Sequence, residues 1–239
     1  MLRHIVLTRS VYPPALWPID ANRRRLRLFA HVTARTLAFE RKAYSGWMWA
    51  VIVDPSDPLV QERIRIARTA DPKALILHYR GRVVSRSDVI EEIRKMDWPN
   101  VLSARSDVLL TTRVDDDDGF AKGALGRIRA AAKDLSTRAA LMLPKGVRVW
   151  RGRYSRVRHE TNAWCSILSP RGDDATALSF DHNKVRDVAP VKEIDQDVGW
   201  LWLRHPDTLS GHKQADAAVD ESVRKLFDVD WRLLARFAS

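Results

Sequence analysis

Four short apolar runs, each closing on polar or charged residues and each followed by a stretch of helical periodicity, constrain this chain most. They are "HIVL" before "TRS", "WMWAVIV" before Asp54, "ALILHY", and "DVLLTTRV" before four aspartates. Each is too short for a helix and lacks apolar-polar alternation, the pattern of a strand buried on both faces. Between the first two, Asn22 to Tyr44 sets Leu26, Ala30, Thr33 and Leu37 among basic residues, which predicts a helix. Asp57 as N-cap, with Pro58 in the first turn, opens a second helix through Ile64 and Ala67. "SDVIEEIRKM" predicts a third, with a D-x-x-E box. Phe120 to Leu135 predicts a fourth, weakened by Gly123 and Gly126. Strands alternating with helices imply an α/β fold whose mostly parallel, Rossmann-like sheet is flanked by helices.

Beyond Leu135 the runs "ALML", "GVRVWRGRY", "NAWCSIL" and "GWLWL" are short and partly alternating, with turn signals between them. They are expected as antiparallel additions to the sheet. Gln214 to Phe237 predicts a terminal helix. No linker or internal repeat divides the chain, so a single domain over residues 1–239 is expected, with halves at 1–135 and 136–239. A 45% hydrophobic content with nine tryptophans is far from that of a disordered chain. The lone Cys165 cannot form an internal disulfide and reads as a small buried residue of a reducing compartment. No stretch reaches the roughly 18 to 20 apolar residues of a membrane span, and the charged start is unlike a signal peptide; a cytoplasmic protein is expected.

In open parallel sheets ligands bind beyond the carboxyl ends of the strands. Arg9, Asp54 and the run Asp115, Asp116, Asp117, Asp118 each follow a strand, so they should gather on one rim. The acid run has bland readings: a solvated turn, or Asp118 capping the next helix. An EF-hand loop fails, because with Gly119 as its glycine the first and last ligand positions fall on Val114 and Leu125. A divalent-metal site remains. Asp115 and Asp117, two apart at a strand end, would point to one side and address a single ligand. Mg²⁺ or Mn²⁺ there would share these carboxylates with a substrate's phosphates.

The opening "VLTRS", the strand end "VIVDPSDP", the segment "TTRVDDDD" and the late "APVKEIDQDVGWLWLRH" together resemble the rhamnosyltransferase family of GT-A nucleotide-sugar glycosyltransferases. The resemblance runs in order from about His4 to His205 and departs from the family pattern near "ETNAWCSILSP". It implies a GT-A-like fold and a UDP-, dTDP- or GDP-sugar donor. It implies that Asp115 and its neighbour Asp116 meet the donor, that Asp117 holds the metal and that Arg9 and Asp54 contact the nucleotide. It makes His205 a further metal ligand, with His212 in reserve. Asp181 in "SFDHNK" and Glu160 in "RHETN" are the candidate catalytic bases for an inverting transfer.

The charge balance, 41 Lys+Arg against 30 Asp+Glu for a net +11, favours anionic partners. Arg148 to His159 interleaves five arginines with Trp150 and Tyr154, and Arg151 and Arg153 would share one face of a strand. This pattern suits a nucleic-acid backbone, a lipid diphosphate or a solvated hairpin. Three function classes follow: transfer of a sugar to a saccharide or to a hydroxylated base in DNA, a non-catalytic nucleic-acid-binding module, and metal-dependent phosphoryl transfer. The last wants a second acid cluster, which the sequence lacks.

Overall fold

The computed structural model describes residues 2–10, 18–78, 91, 108–160, 162–195, 197–205 and 217–237. The helix expected over "SDVIEEIRKM" and the reserve ligand His212 lie outside the described residues, save residue 91.

All four apolar runs are strands: β1 (Leu2–Ser10), β2 (Met48–Val53), β3 (Leu75–His78) and β4 (Val108–Asp115). They pair in parallel in the order β4-β1-β2-β3. Alternate residues serve opposite faces. Val6, Trp49, Val51 and Val53 join one core cluster, and Ile5, Leu7, Ala50 and Ile52 join another. Burial on both sides is why these runs carry no polar alternation.

The first connection is α1 (Ile19–Leu28), a π-helical stretch Phe29–Thr33, and α2 (Ala34–Ala43). The extra residue per π-turn rotates the buried face, and Val32 and Thr33 are both buried where the slip occurs. Consequently Leu26 and Ala30, expected in the core, are only half-buried, while Arg25 is buried in their place. The next helix, α3, spans Val60–Ala70. It starts later than expected, and the Asp57 carboxylate accepts from Leu59 N at 2.9 Å just before it.

The second half corrects one expectation. Of the late strands, only β6 (Ala139–Met142), β9 (Ser166–Ser169) and β10 (Val191–Glu193) extend the main sheet, giving β10-β6-β9-β4-β1-β2-β3. Only β9 is antiparallel to its neighbours. The remaining strands build a separate five-stranded sheet. It has β5 (Gly119–Phe120), β7 (Lys145–Trp150), β8 (Arg153–Arg158), β11 (Trp200–Leu203) and β12 (Ala217–Ala218) in the order β12-β8-β7-β11-β5. In β11, Trp200 and Trp202 face the main core, and Leu201 and Leu203 face a second core with Val147, Val149 and Phe227. The fourth helix, α4, spans Ala124–Ala132, because Gly119–Phe120 are drawn into pairing with Trp200 and Leu201. The expected terminal helix is two short ones, Glu221–Arg224 and Trp231–Phe237, each following an aspartate whose carboxylate accepts backbone N–H groups.

Candidate active site

The four aspartates leave β4 at its carboxyl end, beside Arg9 of β1. The strand stops at Asp115 and the chain turns, with Asp118 N donating to Asp115 O at 3.2 Å. Thr33, in the π-helical stretch, clamps this turn by donating to Asp118 O at 2.8 Å. Asp117 thus lies beyond the strand, where alternation no longer sets direction.

Each acid has its own company. Asp115 is gripped at both oxygens by Arg113, at 3.1 and 3.0 Å. Burial pushes its carboxyl up, but Arg113, with Arg9 and Arg25 behind it, overcomes this and holds it down at about 2. Asp116 is fully buried between Arg25 at 2.5 Å, Ser10 at 2.8 Å and Arg63 at 3.2 Å. Arg63 also binds Asp57 at 2.7 Å and Asn22. Asp117 Oδ2 meets Arg25 Nη1 at 3.0 Å and His205 Nε2 at 2.9 Å. Burial opposes ionisation of Asp117, yet Arg25 and His205 hold its carboxyl below the ordinary value.

Asp118 differs. Its carboxylate accepts from Leu203 N at 3.4 Å, and burial, then the charges of Asp117 and Asp115, hold its carboxyl well above the usual range. It does not cap α4. That helix begins at Gly123, in a left-handed conformation at φ 81°, and its free N–H groups at Gly123 and Leu125 donate to Glu40 of α2. A buried carboxylate from a neighbouring helix thus does what the preceding aspartate was expected to do.

Arginine therefore explains how so much acid folds in one place. Buried charges persist only when paired and hydrogen-bonded. Arg25, Arg63 and Arg113 supply the pairing from α1, α3 and β4 itself. None was singled out from the sequence. Arg25 hides in "NRRRLRL", Arg63 in "QERIRIAR", and Arg113 stands two residues before Asp115 in the very segment that marked the site.

Asp117 and His205 place an oxygen and a nitrogen 2.9 Å apart at the carboxyl ends of β4 and β11. This pair suits a divalent ion that takes its remaining ligands from a diphosphate. Among the described residues no third His, Cys, Asp or Glu completes a cluster, so the protein alone would hold such an ion weakly.

A family model described as "Putative rhamnosyl transferase" matches residues 19–217. The chain belongs to that family. Its members are glycosyltransferases by that description, and the mostly parallel α/β sheet is the fold expected of this one. No curated protein matches the sequence. Solved structures of similar fold include S. aureus TarS 1-349, at 8% identity and TM-score 0.46, covering 84% of this chain and 60% of that one. The same TarS fragment with UDP-GlcNAc has 9% identity, TM-score 0.44 and covers 99% and 70%. A 4-diphosphocytidyl-2C-methyl-D-erythritol synthase has 15% identity, TM-score 0.39 and covers 82% and 89%.

The remaining sequence candidates of this rhamnosyl transferase family member are placed as follows. Arg9 is half-buried beside Asp115, with its Nε enclosed and unpartnered among the described residues. Asp54 is buried and holds the turn after β2, accepting from Ser56 N at 2.8 Å and Ser56 Oγ at 2.6 Å. Asp181 is exposed and caps the 3-10 turn His182–Lys184. The Asn183 N–H chiefly lowers its carboxyl. Glu160 is exposed and pairs with Arg186 at 3.7 Å, past the far end of β8. No helix among the described residues is long and apolar enough to cross a membrane.

Proposed function

We propose that this chain moves a sugar, rhamnose or a related deoxyhexose, from a UDP-, dTDP- or GDP-linked donor to a saccharide hydroxyl. The observation that carries the reading is the braced acid turn at the end of β4, with Asp117 and His205 converging at the strand ends. Arg9 faces the departing diphosphate, and Asp115, fixed by Arg113, orients the donor's ribose or sugar. Asp54 shapes the turn beside the nucleotide. Asp116 holds α1 and α3 against this floor through Arg25 and Arg63.

Asp117 and His205 would hold Mn²⁺ or Mg²⁺, whose chemistry is Lewis-acid neutralisation of the leaving nucleoside diphosphate. Asp181 stands ahead of Glu160 as the group that accepts the acceptor's proton, because Glu160 is paired with Arg186 at the end of the hairpin away from its tip. Its lowered carboxyl keeps it ionised near neutral pH, as a base requires. Transfer to DNA fits less well. Arg156 is bound to Asp197 and Asp220, and Arg158 to Glu193, so the arginine run is no continuous track for a phosphate backbone.

Donor hydrolysis across UDP-, dTDP- and GDP-sugars, with and without Mn²⁺, tests the reading. Turnover of one donor class, with Asp117→Ala losing metal-dependent donor binding while still folding, is expected. Donor affinity unaffected by Asp117→Ala in Mn²⁺ would remove the metal role, and no binding of any donor would remove the function.

A further inference from the structure

The β7–β8 hairpin ends beside the acid turn. β11 runs parallel to β7, with Leu203 opposite Val149 and Arg204 N donating to Val149 O at 2.9 Å. The next residue, His205, reaches Asp117. Trp150, Arg151, Gly152 and Arg153 therefore stand at the edge of the proposed transfer site.

Three guanidinium groups surround the Trp150 ring: Arg151 at 4.9 Å, Arg204 at 5.4 Å and Arg148 at 5.6 Å from its centroid. Such contacts hold cations against an aromatic face without neutralising them. Arg151 and Arg153 are exposed and form no ion pair among the described residues. Farther down the same hairpin, Arg156 and Arg158 are paired with acids. Positive charge left unneutralised is thus concentrated at the tip that borders the site.

The tip backbone adds a second observation. Arg151 has φ 48° and Gly152 φ 69°, the two left-handed residues of a tight hairpin turn that favours Asn-Gly. An arginine in the first position costs roughly 1 kcal/mol relative to residues that tolerate it. It also ends the strand at Trp150, so Arg151 and Arg153 do not share a strand face as the sequence implied. The chain keeps an ill-suited residue where its charge faces outward.

We propose that the tip Trp150–Arg153 is the acceptor-binding surface, and that it takes a saccharide bearing an anionic group, a phosphate or a carboxylate. This rests on the glycosyltransferase reading above. The two exposed guanidinium groups of Arg151 and Arg153 fit one or two anionic groups, whereas a nucleic acid would require neutralising charge along a track.

The test is calorimetric titration of the full chain, saturated with whichever of UDP, dTDP and GDP it binds, with methyl glucoside, methyl glucoside 6-phosphate and methyl glucuronide, and with a 12-base-pair duplex. The charged sugars should bind at least tenfold more tightly than the neutral one, and whichever of the two is tighter names the anion. Arg151→Asn combined with Arg153→Ala should abolish that discrimination without lowering the melting temperature, because Asn suits the turn. Equal binding of neutral and charged sugars, or discrimination that survives the double variant, would overturn the proposal. So would duplex binding with a steep salt slope that the double variant collapses, which would reassign the surface to nucleic acid. Charge discrimination in a chain that binds none of UDP, dTDP and GDP would keep the anion surface and sink the donor reading instead.

Discussion

Arg25 Nη1 donates to Asp117 Oδ2 at 3.0 Å across 92 positions of the chain, and both side chains are almost fully buried. The same guanidinium binds Asp116, so one residue of α1 neutralises the two middle acids of the four-aspartate run.

Removing that cation leaves two buried carboxylates without their principal partner. Arg25→Ala should therefore destabilise the fold by about 3 to 5 kcal/mol, the range for a broken buried pair. Arg25→Lys should recover only part of this, since an ammonium cannot fork across two acids. Urea unfolding of both variants measures it, and a loss under about 1 kcal/mol for Arg25→Ala would mean that the acids are solvated.

Asp118 sets a pH dependence whose sign follows from its raised carboxyl. Unfolded, it titrates near the ordinary aspartate value of 3.8; folded, it holds its proton to higher pH. Above 3.8 the unfolded state binds fewer protons, so this residue's contribution to stability falls as pH rises toward the folded value. Asp118→Asn should be more stable than wild type at pH 7 and no more stable at pH 3, where both states carry the neutral acid. Parallel unfolding curves with a pH-independent difference would contradict this.

Asp115 has the opposite sign. Held at about 2 in the folded state, its contribution is present above the unfolded 3.8 and is lost as pH falls toward 2. Asp115→Asn should weaken donor binding severalfold, whereas Asp118→Asn, whose carboxylate is turned to Leu203 N, should weaken it little. Equal losses in nucleotide titrations would show that the two acids do not divide their work in this way.

Gly146 lies under Trp200, and a Cβ added there would meet the indole ring at 2.1 Å. Trp200 cannot swing away, being stacked on Trp164 at 4.2 Å and bonded through Nε1 to Leu143 O at 2.7 Å. Gly146→Ala should cost roughly 1 to 3 kcal/mol by overpacking, with a shift in tryptophan emission. A variant as stable as wild type, with unchanged emission, would show that the stack yields easily.

The parallel half of the fold and the gathering of the strand-end residues on one rim were legible in the amino-acid order. Short uniformly apolar runs can only be buried on both faces, and the residues that end them must then emerge on one rim, so Arg9, Asp54 and Asp115 to Asp118 were legible together. His205 was legible only through likeness to a family. What tertiary structure decided were matters of partner choice between distant segments. A two-residue strand such as Gly119–Phe120 has no local signature and exists because Trp200 and Leu201 pair with it. The second sheet was invisible for the same reason. Arg25, Arg63 and Arg113 looked like solvated positive charge, since a helical arginine among arginines carries no mark of burial. A π-turn changes which face of α1 looks inward, and only the packed acids make burying a guanidinium there favourable.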